Sequence, residues 1–124
     1  MFLYHNVLNL KRLTSILECG FILLDDRIQS PCVYLTRNKS YMGYRGIRMV
    51  FDYDKLRFNY KVKPFSYRGW LKVNRPNSRF IPKADEMEER CYNKIDLKKT
   101  CVRIEIDSKI HKNIEVKHSL ITVI

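Results

Sequence analysis

Three short pieces of this chain carry residues that suit one reaction: Leu3-Tyr4-His5-Asn6, Val33-Tyr34-Leu35-Thr36, and Asp85-Glu86-Met87-Glu88-Glu89-Arg90. They offer an imidazole, a phenol and a carboxylate, each in or beside a β-like run. That trio suits a protein that holds NAD and breaks its nicotinamide–ribose bond. Breaking the bond builds positive charge on the ribose, and a fixed carboxylate stabilises it. Glu88 is the first candidate. If Met87 and Glu89 face one side of a strand, Glu86, Glu88 and Arg90 face the other. Glu86 then shares the cleft and orients an acceptor. An imidazole donates through one ring nitrogen and accepts through the other, so His5 can bind a ribose hydroxyl or the carboxamide. Tyr34, Tyr41 and Tyr44 can line a pocket for a flat cationic ring. Arg37 and Arg45 are candidates for the pyrophosphate. Each has a plainer reading: a core histidine, tyrosines packed in β-structure, solvated charges, and acids balancing Lys83 and Arg90 on a strand edge.

The elements that must position these groups follow from periodicity. Phe2 to Val7 reads as a strand. Leu8, Leu10, Leu13, Ile16 and Leu17 recur at helical spacing. Asn9 or Asn6 can cap this helix, and Gly20 can end it in the left-handed conformation. Phe21 to Leu24 is a brief apolar run, and 25–31 is a loop ending at Pro31. Cys32 to Thr36 is a strand, and 37–46 is a polar connection. Ile47 to Tyr53 is a strand with Ile47, Met49 and Phe51 on one face. Asp54-Lys55-Leu56 is a turn or one helical turn. Phe58 to Phe65 alternates as a strand ending at Pro64. From Ser66 to Lys83 the breakers Gly69, Pro76 and Pro82 predict a loop holding Trp70. Met87 to Asn93 and Val102 to Ile106 are strands, residues 96–99 a helical turn, and Ser119 to Ile124 a last strand. Many short strands with one clear helix predict a single α+β domain over 1–124, with mainly antiparallel or split sheets.

Charge is the strongest bulk signal. Residues 37–83 hold 13 Lys and Arg against Asp52 and Asp54, so this stretch carries the whole net charge of +11. A field so uneven attracts polyanions, either nucleic acid or acidic protein surfaces. Arg57, Lys61, Lys63, Arg68, Trp70 and Lys72 interleave cations with rings, a pattern that binds single strands by charge and stacking. Phe58 and Phe65 equally suit core positions. The four cysteines have no CxxC spacing, so no metal site is expected and the thiols read as buried. No run of some 18 apolar residues is present, so no membrane span is expected. With no leader visible, the expected compartment is cytosolic. Gly43 and Gly46 do not form a phosphate loop.

The order strand with His, helix, Gly, strand with Tyr, and later a carboxylate resembles the ADP-ribosyltransferases. Tyr4-His5-Asn6 with Leu13, Ile16, Leu17 and Gly20 is similar to the opening of the DNA-targeting toxins and poly-ADP-ribose polymerases. Val33-Tyr34-Leu35-Thr36 looks like the second strand of the His-Tyr-Glu group, in which a later tyrosine, here Tyr44 or Tyr41, stacks on nicotinamide. Glu86-Met87-Glu88 resembles the family's Glu-x-Glu motif. The chain departs at Asn6, where Gly is usual, lacks a Ser-x-Ser motif, and is short for a complete transferase domain. Ile47 through Pro64 and Glu88-Glu89-Arg90 are also similar to small proteins of tailed bacteriophages. The resemblance covers residues 1 to about 107. It implies an ADP-ribosyltransferase-like fold with split antiparallel sheets, NAD as substrate without a metal, and ADP-ribose transfer to a host macromolecule in the host cytoplasm. The alternatives are a non-catalytic basic phage protein that binds nucleic acid or inhibits a host protein, and a virion component.

Overall fold

The first strand and helix form from local signals alone. In the structure, a computed structural model, residues 1–40, 43–79 and 88–124 are described, Tyr67 and Arg68 by backbone only. Strand β1 (Phe2–Asn6) leads to helix α1 (Leu10–Cys19). Asn9, not Asn6, caps it: its side-chain oxygen accepts from the Arg12 N–H at 2.8 Å. Gly20 ends it at φ 81°, donating its N–H to the Ile16 carbonyl at 2.8 Å. Leu13 and Ile16 are the buried face.

The strands β3 (Val33–Thr36), β4 (Ile47–Asp52), β5 (Val62–Pro64), β6 (Glu88–Cys91), β8 (Cys101–Ile106) and β9 (Ile121–Val123) join β1 in one seven-stranded sheet. Its order is β5-β6-β3-β1-β4-β8-β9, antiparallel except for the β8–β9 pair. A small second sheet pairs β2 (Phe21–Ile22) with β7 (Ile95–Asp96). The large sheet is uneven. β1 pairs with β4 through five residues, and β3 with β6 through four. Between β1 and β3 the ladder is the single pair Tyr4↔Thr36. The sheet therefore has two well-paired parts, β5-β6-β3 and β1-β4-β8-β9, with a short ladder between them. This agrees with a mainly antiparallel α+β architecture.

Leu3, Leu35, Ile47, Met49, Phe51 and Ile104 anchor the core, and Leu13, Leu56 and Ile95 cover it. Strand β4 departs from simple alternation: Arg48 and Val50 are also buried, because β1 and β8 flank it and both faces are covered.

Other expectations are corrected. Residues 53–59 are a helix, α2 (Tyr53–Asn59), which extends the helical turn expected at 54–56 over Tyr53, Phe58 and Asn59, where strand was expected. Asp52 caps it by accepting from the Lys55 N–H at 3.0 Å, Leu56 turns into the core, and Phe58 is left 89% exposed. Ser66 caps α3 (Tyr67–Asn74) inside the expected loop, accepting from the Gly69 N–H. Pro76 lies beyond that helix, so it breaks nothing, and Leu71 buries its inner face. α4 (Leu97–Thr100) is the expected short turn. Of the thiols expected to be buried, Cys32 and Cys91 are, Cys101 is intermediate, and Cys19 is exposed at the end of α1. Among the described residues no helix is long and apolar enough to cross a membrane.

Candidate active site at the junction of the half-sheets

Where β1 and β3 part beyond Tyr4↔Thr36, strand pairing stops and backbone groups need other partners. His5 supplies one: its Nδ1 donates to the Tyr34 carbonyl at 2.8 Å. A hollow of about 320 Å³ opens here, lined by His5, Tyr34 and Glu88 with Tyr4, Asn6, Leu35, Thr36 and Gly43. A second hollow of about 680 Å³, between α1 and residues 22–27, shares His5, Asn6 and Tyr34 with the first and takes in Arg12 and Arg27.

Strand register explains why this convergence is not obvious. Tyr34 pairs with Arg90 and Thr36 with Glu88, so these four share one face of the sheet. His5 pairs with Met49 and belongs by alternation to the other face. It still lines the same hollow as Tyr34 and Glu88, beside the one-pair ladder between β1 and β3.

The protonation states follow from the contacts. A carbonyl only accepts, so the His5 Nδ1 bonded to Tyr34 carries hydrogen and a neutral ring presents its Nε2 as an acceptor. Burial, helped by the Arg12 guanidinium, lowers the His5 pKa, and the bond to Tyr34 does not reverse this. The ring is neutral at pH 7. Burial pushes the Tyr34 phenol up, and the charges of Cys32 and Asp25 add to that, so it too is neutral. Asp25 is held down at about 2, chiefly by its hydrogen bonds from Arg27.

Glu88 is held from behind. Arg90 Nε donates to Glu88 Oε2 at 2.8 Å. The Arg90 guanidinium lies 3.5 Å from the Phe65 ring centroid and 5.3 Å from that of Tyr34. The adjacent Glu89 faces the other way and is 1% exposed. Arg37 Nε approaches Glu89 Oε1 at 3.5 Å, too long for a strong hydrogen bond. Arg37 Nε and Glu89 Oε2 have no hydrogen-bond partner among the described residues. Burial raises the Glu89 pKa despite Arg37 and Arg57.

No protein-family model, no curated protein and no solved structure matches this chain. The chemistry rests on the geometry.

Of the sequence candidates, His5, Tyr34 and Glu88 come together. Arg37 stands apart, paired with Glu89 rather than lining the hollow. Tyr44 also stands apart, its ring 4.8 Å from the Arg48 guanidinium, while its neighbour Gly43 lines the hollow. Tyr41 and Glu86 lie outside the described residues. Among the basic candidates, Arg57 lies over Tyr53 and Lys61 over Tyr92. Lys63 and Lys72 are exposed, and Trp70 is 37% exposed beside Arg75. The side chain of Arg68 is outside the description. These residues follow one another along α2, β5 and α3, and β5 pairs with β6 at Lys63↔Arg90, which brings the basic segment next to Glu88. Among the described residues no cluster of three or more His, Cys, Asp or Glu could hold a metal ion.

Arg90 shares the face of Glu88, as the alternation predicts, and the one part expected of it is to balance the charge of the nearby acids. The two-residue spacing was the available signal. Nothing local marked Phe65 as the ring beneath it.

Proposed function

We propose that this chain is an ADP-ribosyltransferase-like protein that transfers ADP-ribose from NAD to a macromolecule. The observation that carries the reading is the meeting of His5, Tyr34 and Glu88 around one hollow. At about 320 Å³ the hollow is at the low end of the roughly 300–1,000 Å³ usual for small-molecule sites, and the adjoining hollow extends it.

In this reading NAD is the substrate. The nicotinamide–ribose C–N bond breaks, and its electron pair leaves with nicotinamide. Glu88 keeps Oε1 without a hydrogen-bond partner among the described residues, so this oxygen can face the developing positive charge. His5 Nε2 accepts from a ribose hydroxyl, and the Tyr34 ring forms a wall for the flat leaving group. The acceptor adds to the ribose carbon and releases its proton to solvent. The basic run along α2, β5 and α3 engages that acceptor, a nucleic acid or an acidic protein surface. The split-sheet fold of the family and a phage protein acting in host cytoplasm belong to the same proposal, supported by the one-pair junction and by the motifs that resemble the family.

The test is incubation with labelled NAD and cell extract. Wild type labels a macromolecule, and Glu88→Gln does not while remaining folded. Equal labelling by both removes Glu88 from the role. A second reading, a basic nucleic-acid-binding protein without catalysis, is favoured by the exposed Phe58 and Trp70 among cations. It is the one to keep if NAD does not bind and nucleic-acid affinity falls steeply with salt.

A further inference from the structure

We propose that Arg90 is a positioning residue that holds the Glu88 carboxylate in the hollow. The inference rests on the reading of Glu88 as the catalytic group. Arg90 does not line the hollow, so any effect of Arg90 on chemistry there passes through the lining residues it touches, Glu88 by a hydrogen bond and Tyr34 by its ring. The pair stands two residues apart on β6, on one face, with Nε to Oε2 at 2.8 Å. Only that oxygen is used among the described residues, which fixes the carboxylate and leaves Oε1 available to a substrate.

The surroundings show what the pair is built for. The side chains of Arg90 and Glu88 keep 17% and 30% exposure, so water still screens this half-buried pair and its contribution to folding is modest. Yet the guanidinium is confined on two sides. The Phe65 ring lies 3.5 Å from it and the Tyr34 ring 5.3 Å. Phe65 is itself tied to Glu88, its N–H donating to the Glu88 carbonyl at 3.0 Å. A planar guanidinium stacked this way aims Nε in one direction, which a flexible ammonium would not do. The arrangement spends its order on direction rather than on stability. Tyr34 then has two duties, one edge at the hollow and one face on Arg90.

The experiment compares wild type with Arg90→Gln and Arg90→Lys by crystallography and by steady-state NAD kinetics. In Arg90→Gln the Glu88 carboxylate leaves its place in the hollow, kcat falls roughly 100-fold, as a displacement of about 1 Å can cause, and KM stays within about threefold. Arg90→Lys keeps the charge without the stack and recovers only part of kcat. If either variant folds with Glu88 undisturbed, or if Arg90→Gln keeps full kcat while Glu88→Gln is inactive, the positioning role is overturned and the transfer reading stands. If wild type transfers nothing, the transfer reading falls, and the crystallographic position of Glu88 still decides whether Arg90 holds it.

Discussion

Glu88 on β6 and Glu105 on β8 are each placed two residues from an arginine on the same strand, Arg90 and Arg103. The local spacing is the same, and the environments are opposite. Glu105 has Arg48 directly across the ladder, and Arg48 Nε donates to Oε1 while Arg103 Nε donates to Oε2 at 2.8 Å. Both carboxylate oxygens are occupied, and the side chains of Arg48 and Glu105 are 8% and 9% exposed. Arg48 also donates to the Lys39 carbonyl and lies 4.8 Å from the Tyr44 ring. Across the ladder from Glu88 stands Thr36, which brings no charge, and beyond Thr36 the sheet opens. One carboxylate is saturated inside the wide half-sheet. The other is half satisfied at a hollow. A strand spacing of two brings charges onto one face, and the cross-strand neighbour decides whether they become structure or a site.

The comparison is most exposed to mutation at Glu105. Glu105→Ala strands the Arg48 guanidinium in a buried position and is expected to cost about 3–5 kcal/mol in urea unfolding. Glu88→Gln is expected to cost no more than about 1 kcal/mol, since the amide keeps the shape of this half-buried side chain and its oxygen can still accept from Arg90. Equal losses would erase the distinction. In activity the order reverses: Glu88→Gln is expected to lower transfer by roughly 100- to 1,000-fold, since it removes charge aimed at the transition state.

Titration sharpens the contrast with a third carboxylate. Burial alone would raise Glu105, but the hydrogen bonds from Arg103 and Arg48 overcome this and lower its pKa. Its stabilising contribution is therefore present above the ordinary Glu value of about 4.3 and disappears as pH falls through the lower folded value. Glu89, raised by burial, works in the opposite direction. Its contribution is present below about 4.3 and disappears as pH rises through the higher folded value. Side-chain carbon NMR should find Glu105 titrating below the ordinary carboxyl range and Glu89 above it. The reverse order would contradict the burial argument for both. The smallest effect concerns salt. A double-mutant cycle on Glu88 and Arg90 is expected to give about 0–1 kcal/mol at low salt and near zero at 1 M, where the screening length is about 3 Å. Coupling between Arg48 and Glu105 should survive that change.

Much of the scaffold was legible because its signals are short-range. The Asn9 cap, the apolar spacing of α1 and the Gly20 stop all act within a few residues. The alternation of Glu88, Glu89 and Arg90 put Glu88 and Arg90 on one face and Glu89 on the other, and in the strand the first two are half-buried and Glu89 is buried. The reading failed where a local pattern had two solutions. Alternation around Phe58 suited a strand, but Asp52 at the start of α2 and Leu56 facing the core favoured a helix. Gly69 and Pro76 looked like loop residues, although a helix of eight residues fits before Pro76. Tyr44 stood at a distance from Tyr34 that suited a second wall of the pocket, and Arg48 claimed its ring instead.

The sequence by itself determined β1, the helix α1 with its Gly20 stop, most strands of the large sheet, the concentration of positive charge in 37–83 and the side of β6 on which Glu88 stands. These depend on neighbours along the chain, within reach of a helical turn or a pleat. Only the tertiary structure decided that β1 and β3 meet at a single pair, that His5 spans the gap to the Tyr34 carbonyl, and that Arg48 lies opposite Glu105 and not opposite Glu88. Those outcomes depend on strand order and register, which are set by burying distant apolar residues together and leave no mark in local spacing.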